Sequence, residues 1–171
     1  MIEVVVSRLG VDSANQSHVV ILQEKGGTRL LPIWIGQTEA ESILIQMHNL
    51  KRPRPLTHDL CKSIVLALGG QLQRVQITHV EKNTYYAELH IAHDGEVARV
   101  DARPSDSIAI ALRLAAPIFA ADSLLTDVQV EEQAGEPFVT DSMRSEAELN
   151  AEQLKEYLER LRPEDFGKFN L

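Results

Sequence analysis

The chain opens with short apolar runs rich in Val and Ile, set apart by polar turn-forming clusters. Residues 2–9, 18–23 and 28–35 are the first three, and each has the length and β-branched content of a strand. Residues 12–16 and 25–27 read as the turns between them, with Gly26-Gly27 supplying a position free to take positive φ. Pro32 has no N–H to give a ladder, so the third strand is expected at an edge or at a bulge. The spacing then changes to a helical one. Ala40, Ile43, Leu44 and Met47 follow Thr38 and Glu41, a capping-box pair, and predict a helix over residues 38–48.

Residues 49–56, NLKRPRPL, form a loop by their two prolines. Thr57 is expected to cap a second helix whose Leu60, Cys61, Ile64, Val65 and Leu68 make an apolar stripe, ended by Gly69-Gly70. Three more strands are predicted at residues 71–81, 84–92 and 96–102, with turns at Asn83 and at Asp94-Gly95. The stretch from Val97 to Ala121 then reads as a strand, a polar corner and a nearly all-apolar helix, with Pro104 at the first helical position and Asp106 in the first turn. Three strands and a helix therefore occur twice, joined by a connecting helix. Laid over each other, residues 35–43 and 100–108 match Glu41-Ser42-Ile43 with Asp106-Ser107-Ile108. The expected fold class is α+β, with duplicated three-strand-plus-helix units around a mixed or antiparallel sheet. Residues 1–131 form the domain in this reading. Residues 132–144 are an acidic linker, and 145–171 an acidic helix and tail with Leu149, Leu154, Leu158 and Leu161 as a thin stripe.

Composition adds limits. A chain of 171 residues with 44% hydrophobic content supports one core. Its single cysteine, Cys61, can form neither an internal disulfide nor a thiolate zinc site, and is expected to be a small buried hydrophobe. The amino terminus lacks a basic n-region and a cleavage site, and no apolar run approaches the ~20 residues needed to cross a bilayer, so a cytoplasmic protein without membrane contact is expected. The net charge of −8 is uneven. Residues 1–120 carry 12 basic and 12 acidic side chains, whereas the remainder carries 5 and 13. A neutral body is compatible with phosphate binding, and the acidic tail is expected to be solvated or to meet a protein partner.

Several residue sets could carry chemistry. Strand alternation puts Asp101 and Arg103 on one face at the corner, where Asp106 also stands. With Glu39 or Glu41 these acids could hold Mg²⁺ or Mn²⁺ beside a phosphate-binding Arg103. In the structural alternative Asp106 is a helix-start acid, and Asp101 and Arg103 are a salt bridge fixing the corner. His58 could serve as a general base, or His58-Asp59 could be a surface histidine beside a helix-start acid. Lys51, Arg52 and Arg54 could contact phosphate or be solvated loop charge. Trp34 could stack a base or cover an interface. Walker loops, dinucleotide glycine fingerprints, GxSxG elbows and HExxH motifs are all absent from the sequence.

The segments LPIWIGQTEAESI, RPLTHDL and VDARPSDSIAIALRLAAPIFA, in that order, resemble the bifunctional nuclease domain family over residues 1–131. The ending LKEYLERLRPEDFGKF is similar to that of many bacterial members. The resemblance implies an α+β fold that forms homodimers and an activity on both DNA and RNA. Its motif positions fall on Gly36, Glu39, Glu41, Arg54, His58, Asp59, Asp101, Arg103, Ser105 and Asp106. In a metal-dependent hydrolysis, Asp101 and Asp106 would hold the ion, His58 or the ion would supply the base, and Arg103 would offset charge in the transition state. A non-catalytic dimeric module that binds an anion or a partner protein at the two strand-to-helix corners is the alternative.

Overall fold

In the computed structural model, which describes residues 1–12 and 17–127, the strands join into one sheet. They are β1 (Ile2–Asp12), β2 (Ser17–Glu24), β3 (Leu30–Ile35), β4 (Gln71–Glu81), β5 (Thr84–His93), β6 (Glu96–Ala102) and β7 (Ile118–Ala120). Their order is β3-β2-β1-β7-β4-β5-β6. Two antiparallel three-stranded meanders thus lie on either side of β7, which runs antiparallel to β1 and parallel to β4. The fold is α+β with a mixed sheet. Pro32 lies in β3, an edge strand, where its missing donor removes least from the ladder.

The helices are α1 (Gln37–Met47), α2 (Thr57–Ala67) and α3 (Pro104–Leu114). Helix α3 packs against both α1 and α2 and lies on β4 and β5, while α1 covers β2. Leu22, Leu31, Ile43, Ile77 and Ile108 are wholly buried between these layers, each stabilising the fold by roughly 1.5–3 kcal/mol relative to an exposed side chain. None of the described helices is long and apolar enough to cross a membrane.

Four details differ from the sequence expectations. Both early helices are capped sooner than expected, at Gly36, two residues before Thr38, and at Leu56, one before Thr57, so both threonines sit inside the first turn and cap nothing. The Asp59 carboxylate takes over at α2 and accepts the Leu56 N–H at 2.8 Å. The apolar stripe of α2 is largely uncovered, with Leu60, Ile64 and Leu68 exposed and Cys61 only half-buried. Finally, the helix expected to run through to Ala121 stops at Leu114 and gives way to β7. Ala115 turns the chain with φ of 52°, and Pro117 cannot donate within a helix. A three-residue strand is too short to show a periodicity of its own. Of the turn expected at 12–16, Asp12 belongs to β1, and residues 13–16, the acidic linker and the expected carboxy-terminal helix lie outside the described residues.

The left-handed conformation of Ala115 is strained for an L-residue and free for glycine. Ala115→Gly is expected to stabilise the protein by about 1 kcal/mol, read as a higher denaturant midpoint at an unchanged slope.

A polar junction of three helices

Where the three helices meet, a continuous network of side chains replaces apolar packing. Arg113, on the inner face of α3 with its side chain 1% exposed, donates from Nε to Asp59 Oδ1 at 2.6 Å. Its Nη1 donates to the carbonyl oxygens of Ser42 at 3.2 Å and Ala109 at 2.9 Å. One guanidinium therefore binds all three helices. His58, in the first turn of α2, lies between Ser42 Oγ, 2.8 Å from Nδ1, and Asp106 Oδ1, 3.1 Å from Nε2. With the ring proton on Nε2 donated to Asp106, Nδ1 accepts the Ser42 hydroxyl, giving a Ser–His–Asp chain in hydrogen-bond contact throughout.

Arg103, the N-cap of α3, closes the outer side. Its Nε donates to Asp106 Oδ2 at 2.7 Å, and its Nη2 bonds Asp106 Oδ1 at 3.1 Å and faces Glu39 Oε1 at 2.9 Å. Gly36 makes room for that geometry, because a Cβ there would strike the Glu39 carboxylate. Burial would raise the Asp106 pKa, but hydrogen bonds from Arg103 and His58 outweigh it and hold the carboxyl below the usual range. Asp59 shows the same balance, burial being overcome by the Leu56 N–H and by Arg113. Paired with Asp106 and then Glu39, Arg103 is held more firmly protonated than an isolated arginine.

Beside Arg103 opens a cleft of about 390 Å³, lined among others by Trp34, Gly36, Asn83, Tyr85 and Ser105. Trp34 is 58% exposed on β3. An aromatic face and a guanidinium thus share one cleft, the pairing that holds a base and its phosphate.

The structure brings His58, Glu39, Arg103 and Asp106 together, with Asp59 one link away. It does not bring Asp101 or Glu41 to them. Asp101 is exposed on β6 opposite Glu88, and Arg103 is paired with Asp106 and Glu39 rather than with Asp101, which corrects the expected corner salt bridge. Glu41 accepts from Gln37 Nε2 at 3.1 Å on the outer side of α1. Lys51, Arg52 and Arg54 are exposed in the loop between α1 and α2. His58 is no surface histidine, its side chain being only 13% exposed. Asp101, Asp106, Glu39 and Glu41 do not fit a shared Mg²⁺ or Mn²⁺ site. The guanidinium of Arg103 stands between Glu39 and Asp106, and no three His, Cys, Asp or Glu side chains among the described residues are grouped to hold a metal ion.

Ser42 and Arg113 escaped the sequence reading. Arg113 did leave a signal, an ionisable residue inside the apolar face of Ile108, Ala109 and Ala111, which can be buried only with a counter-charge. Ser42, small and flanked by Ala40, Ile43 and Leu44, left none.

The bifunctional nuclease domain model matches residues 20–133. An uncharacterized protein of Mycobacterium tuberculosis is 38% identical over 166 residues, 96% of this chain and 97% of its own length. Bifunctional nuclease 1 of Oryza sativa subsp. japonica is 34% identical over 110 residues, 63% of this chain and 33% of the rice protein. Bifunctional nuclease 2 of Arabidopsis thaliana is 32% identical over 108 residues, 61% of this chain and 33% of its own length.

Removing Arg113 leaves Asp59 without its partner and the helix carbonyls without a donor. Arg113→Met is expected to cost about 3 kcal/mol in urea unfolding. Because Asp59 and Asp106 have lower pKa values folded than unfolded, their contribution is complete above the ordinary carboxylate range and is lost as pH falls through and below about 4. Stability measured from pH 6 to pH 3 should fall with acid, and Asp106→Asn should flatten that fall.

Proposed function

Because the chain belongs to the bifunctional nuclease domain family, we propose that it hydrolyses phosphodiester bonds of DNA and RNA at the three-helix junction. The Ser42–His58–Asp106 chain, joined through Asp106 to Arg103 in the lining of the cleft, is the observation that carries this reading. In the proposed reaction a water oxygen attacks phosphorus and an ester P–O bond breaks, the leaving oxygen taking up a proton. The attacking water passes a proton to Ser42 Oγ as the Ser42 hydroxyl proton moves to His58 Nδ1, while Asp106 holds the ring and stabilises the imidazolium that forms. Arg103 meets the phosphate. Its Nη1 makes no hydrogen bond among the described residues, and the side chain is 66% exposed. Trp34 stacks a base in the same cleft, and Lys51, Arg52 and Arg54 contact flanking phosphates.

A second reading, a binding module without turnover, is favoured by one specific observation. Glu39, Asp59 and Asp106 are each already paired with a guanidinium, so the junction is also a satisfied structural cluster. It carries three carboxylates against the two guanidiniums, a balance that does not favour an anionic substrate unless a further cation accompanies it.

Highly purified protein on a defined oligonucleotide separates the two. His58→Asn is expected to lower the cleavage rate by roughly 10²–10⁴ with binding retained, the loss typical of a missing general base. Trp34→Ala should instead weaken single-strand binding by about 1–3 kcal/mol per stacked base. Loss of cleavage in EDTA with recovery in Mg²⁺ or Mn²⁺ would bring a metal into the reaction. Equal rates in the parent, His58→Asn and Arg103→Ala proteins would sink the catalytic reading, and binding without cleavage by the parent would establish the second.

A further inference from the structure

The two edges of the sheet are unlike. On β3, Pro32 has no N–H to donate, although the pairing with β2 runs on through it. On β6, Glu96–Ala102, no proline or lysine breaks the run, and its pairing with β5 is continuous from Ala102 to Glu96 with no bulge. Every β6 residue except Ala102 is exposed, Val97 and Val100 among them. A regular, exposed edge is a template for another strand; β6 has no proline, lysine or bulge, and its exposed charges, Glu96, Arg99 and Asp101, are of mixed sign. Arg99 and Asp101 also make no hydrogen bond or ion pair among the described residues. The neighbour of Asp101 on β5 is another acid, Glu88, and that of Arg99 is His90. Neither charge therefore has an ion-pair partner within the described part of the sheet.

The sequence of this strand, EVARVDA, is complementary to itself when read antiparallel. Outward-facing amides and carbonyls meet across a two-fold axis only when residues of the same parity stand opposite each other. Centring the pair on Arg99 puts two guanidiniums face to face, and centring it on Asp101 does the same with two carboxylates. Centring on Ala98 leaves Asp101 and Ala102 beyond the overlap. With Val100 at the centre, Arg99 of each copy faces Asp101 of the other, Ala98 faces Ala102, and Val100 meets Val100. This is the one register in which both uncompensated charges are paired and the exposed valine is covered.

We propose that β6 is an interface strand, pairing antiparallel with β6 of a second copy of this chain about Val100 to continue the sheet through two protomers. Asp101 then belongs to assembly and not to chemistry. This inference is independent of the catalytic reading, since it uses no residue of the junction.

The full-length chain tests it. Sedimentation should show a concentration-dependent dimer. Arg99→Asp and Asp101→Arg, each of which sets like charges opposite one another twice, should each weaken that dimer about tenfold or more. The double variant Arg99→Asp/Asp101→Arg should restore it. In a Cys61→Ser background, Val100→Cys should cross-link into a disulfide dimer on mild oxidation, since opposed residues in an antiparallel pair fall within disulfide reach. Circular dichroism confirms that each variant is folded, and the double variant serves as the internal control for the single ones. A parent that stays monomeric at high concentration overturns the proposal. So does a dimer that neither charge reversal weakens and Val100→Cys does not cross-link, which would place the contact on another surface.

Discussion

The hydrogen bonds of Arg113 are the constraint on which the helical layer depends. A guanidinium buried to this degree is strongly disfavoured unless its charge is met; Asp59 meets it, and Nε and Nη1 are hydrogen-bonded while Nη2 has no partner among the described residues, so these contacts select one arrangement of the helices. Asp59 must approach from α2, the Ser42 carbonyl from α1, and the Ala109 carbonyl from the same helix. Because α2 has no fully buried residue, apolar packing alone holds it weakly, and the charged contacts to α3 fix its position. That position in turn sets His58 between Ser42 and Asp106. The geometry of the candidate relay is therefore a consequence of an ion pair made by neighbouring residues, Asp59 on α2 and Arg113 two turns along α3 from Asp106.

Arg103 solves a different problem. Glu39 and Asp106 converge from the amino-terminal turns of α1 and α3, where the helix dipoles favour acids, but two carboxylates brought close repel each other. A guanidinium between them removes the repulsion and leaves its third nitrogen for an external acceptor. The same residue is thus both part of the scaffold and the cation facing the cleft. Its identity as arginine matters, since a lysine's single nitrogen could not bind Asp106 twice, meet Glu39 and still leave another nitrogen to present.

Much of this was legible in the chain. Strand runs, glycine turns and the change of period mark six of the seven strands and all three helices, because each is long enough for local preference and burial to agree. The misses share a cause: they depend on partners distant in sequence. Ile118–Ala120 becomes β7 only because the gap between β1 and β4 accepts it. The leucines of α2 look like a core stripe, yet the described fold leaves Leu60, Ile64 and Leu68 uncovered. At the site, His58 and Asp106 were legible as chemistry-bearing types at helix starts, but a residue pair separated by 48 positions cannot be assigned from spacing. Ser42 was invisible for the same reason, being significant only through the imidazole it meets.

Asp101 stands apart from the cluster to which strand alternation assigned it. Alternation correctly puts Asp101 and Arg103 on the same side of the strand, but β6 ends between them: Ala102 closes the strand, and Arg103 already has the backbone role of an N-cap. One residue of helix start is enough to turn Arg103 toward Glu39 and Asp106 and to leave Asp101 behind at the sheet edge. The two charges then experience different surroundings, one in a network of paired groups and one opposite another acid. A carboxylate left in that position is stabilised only by water or by a cation from outside the fold. The strand's own sequence carries a side chain of opposite sign, Arg99, two residues away, and a strand paired with β6 would bring another.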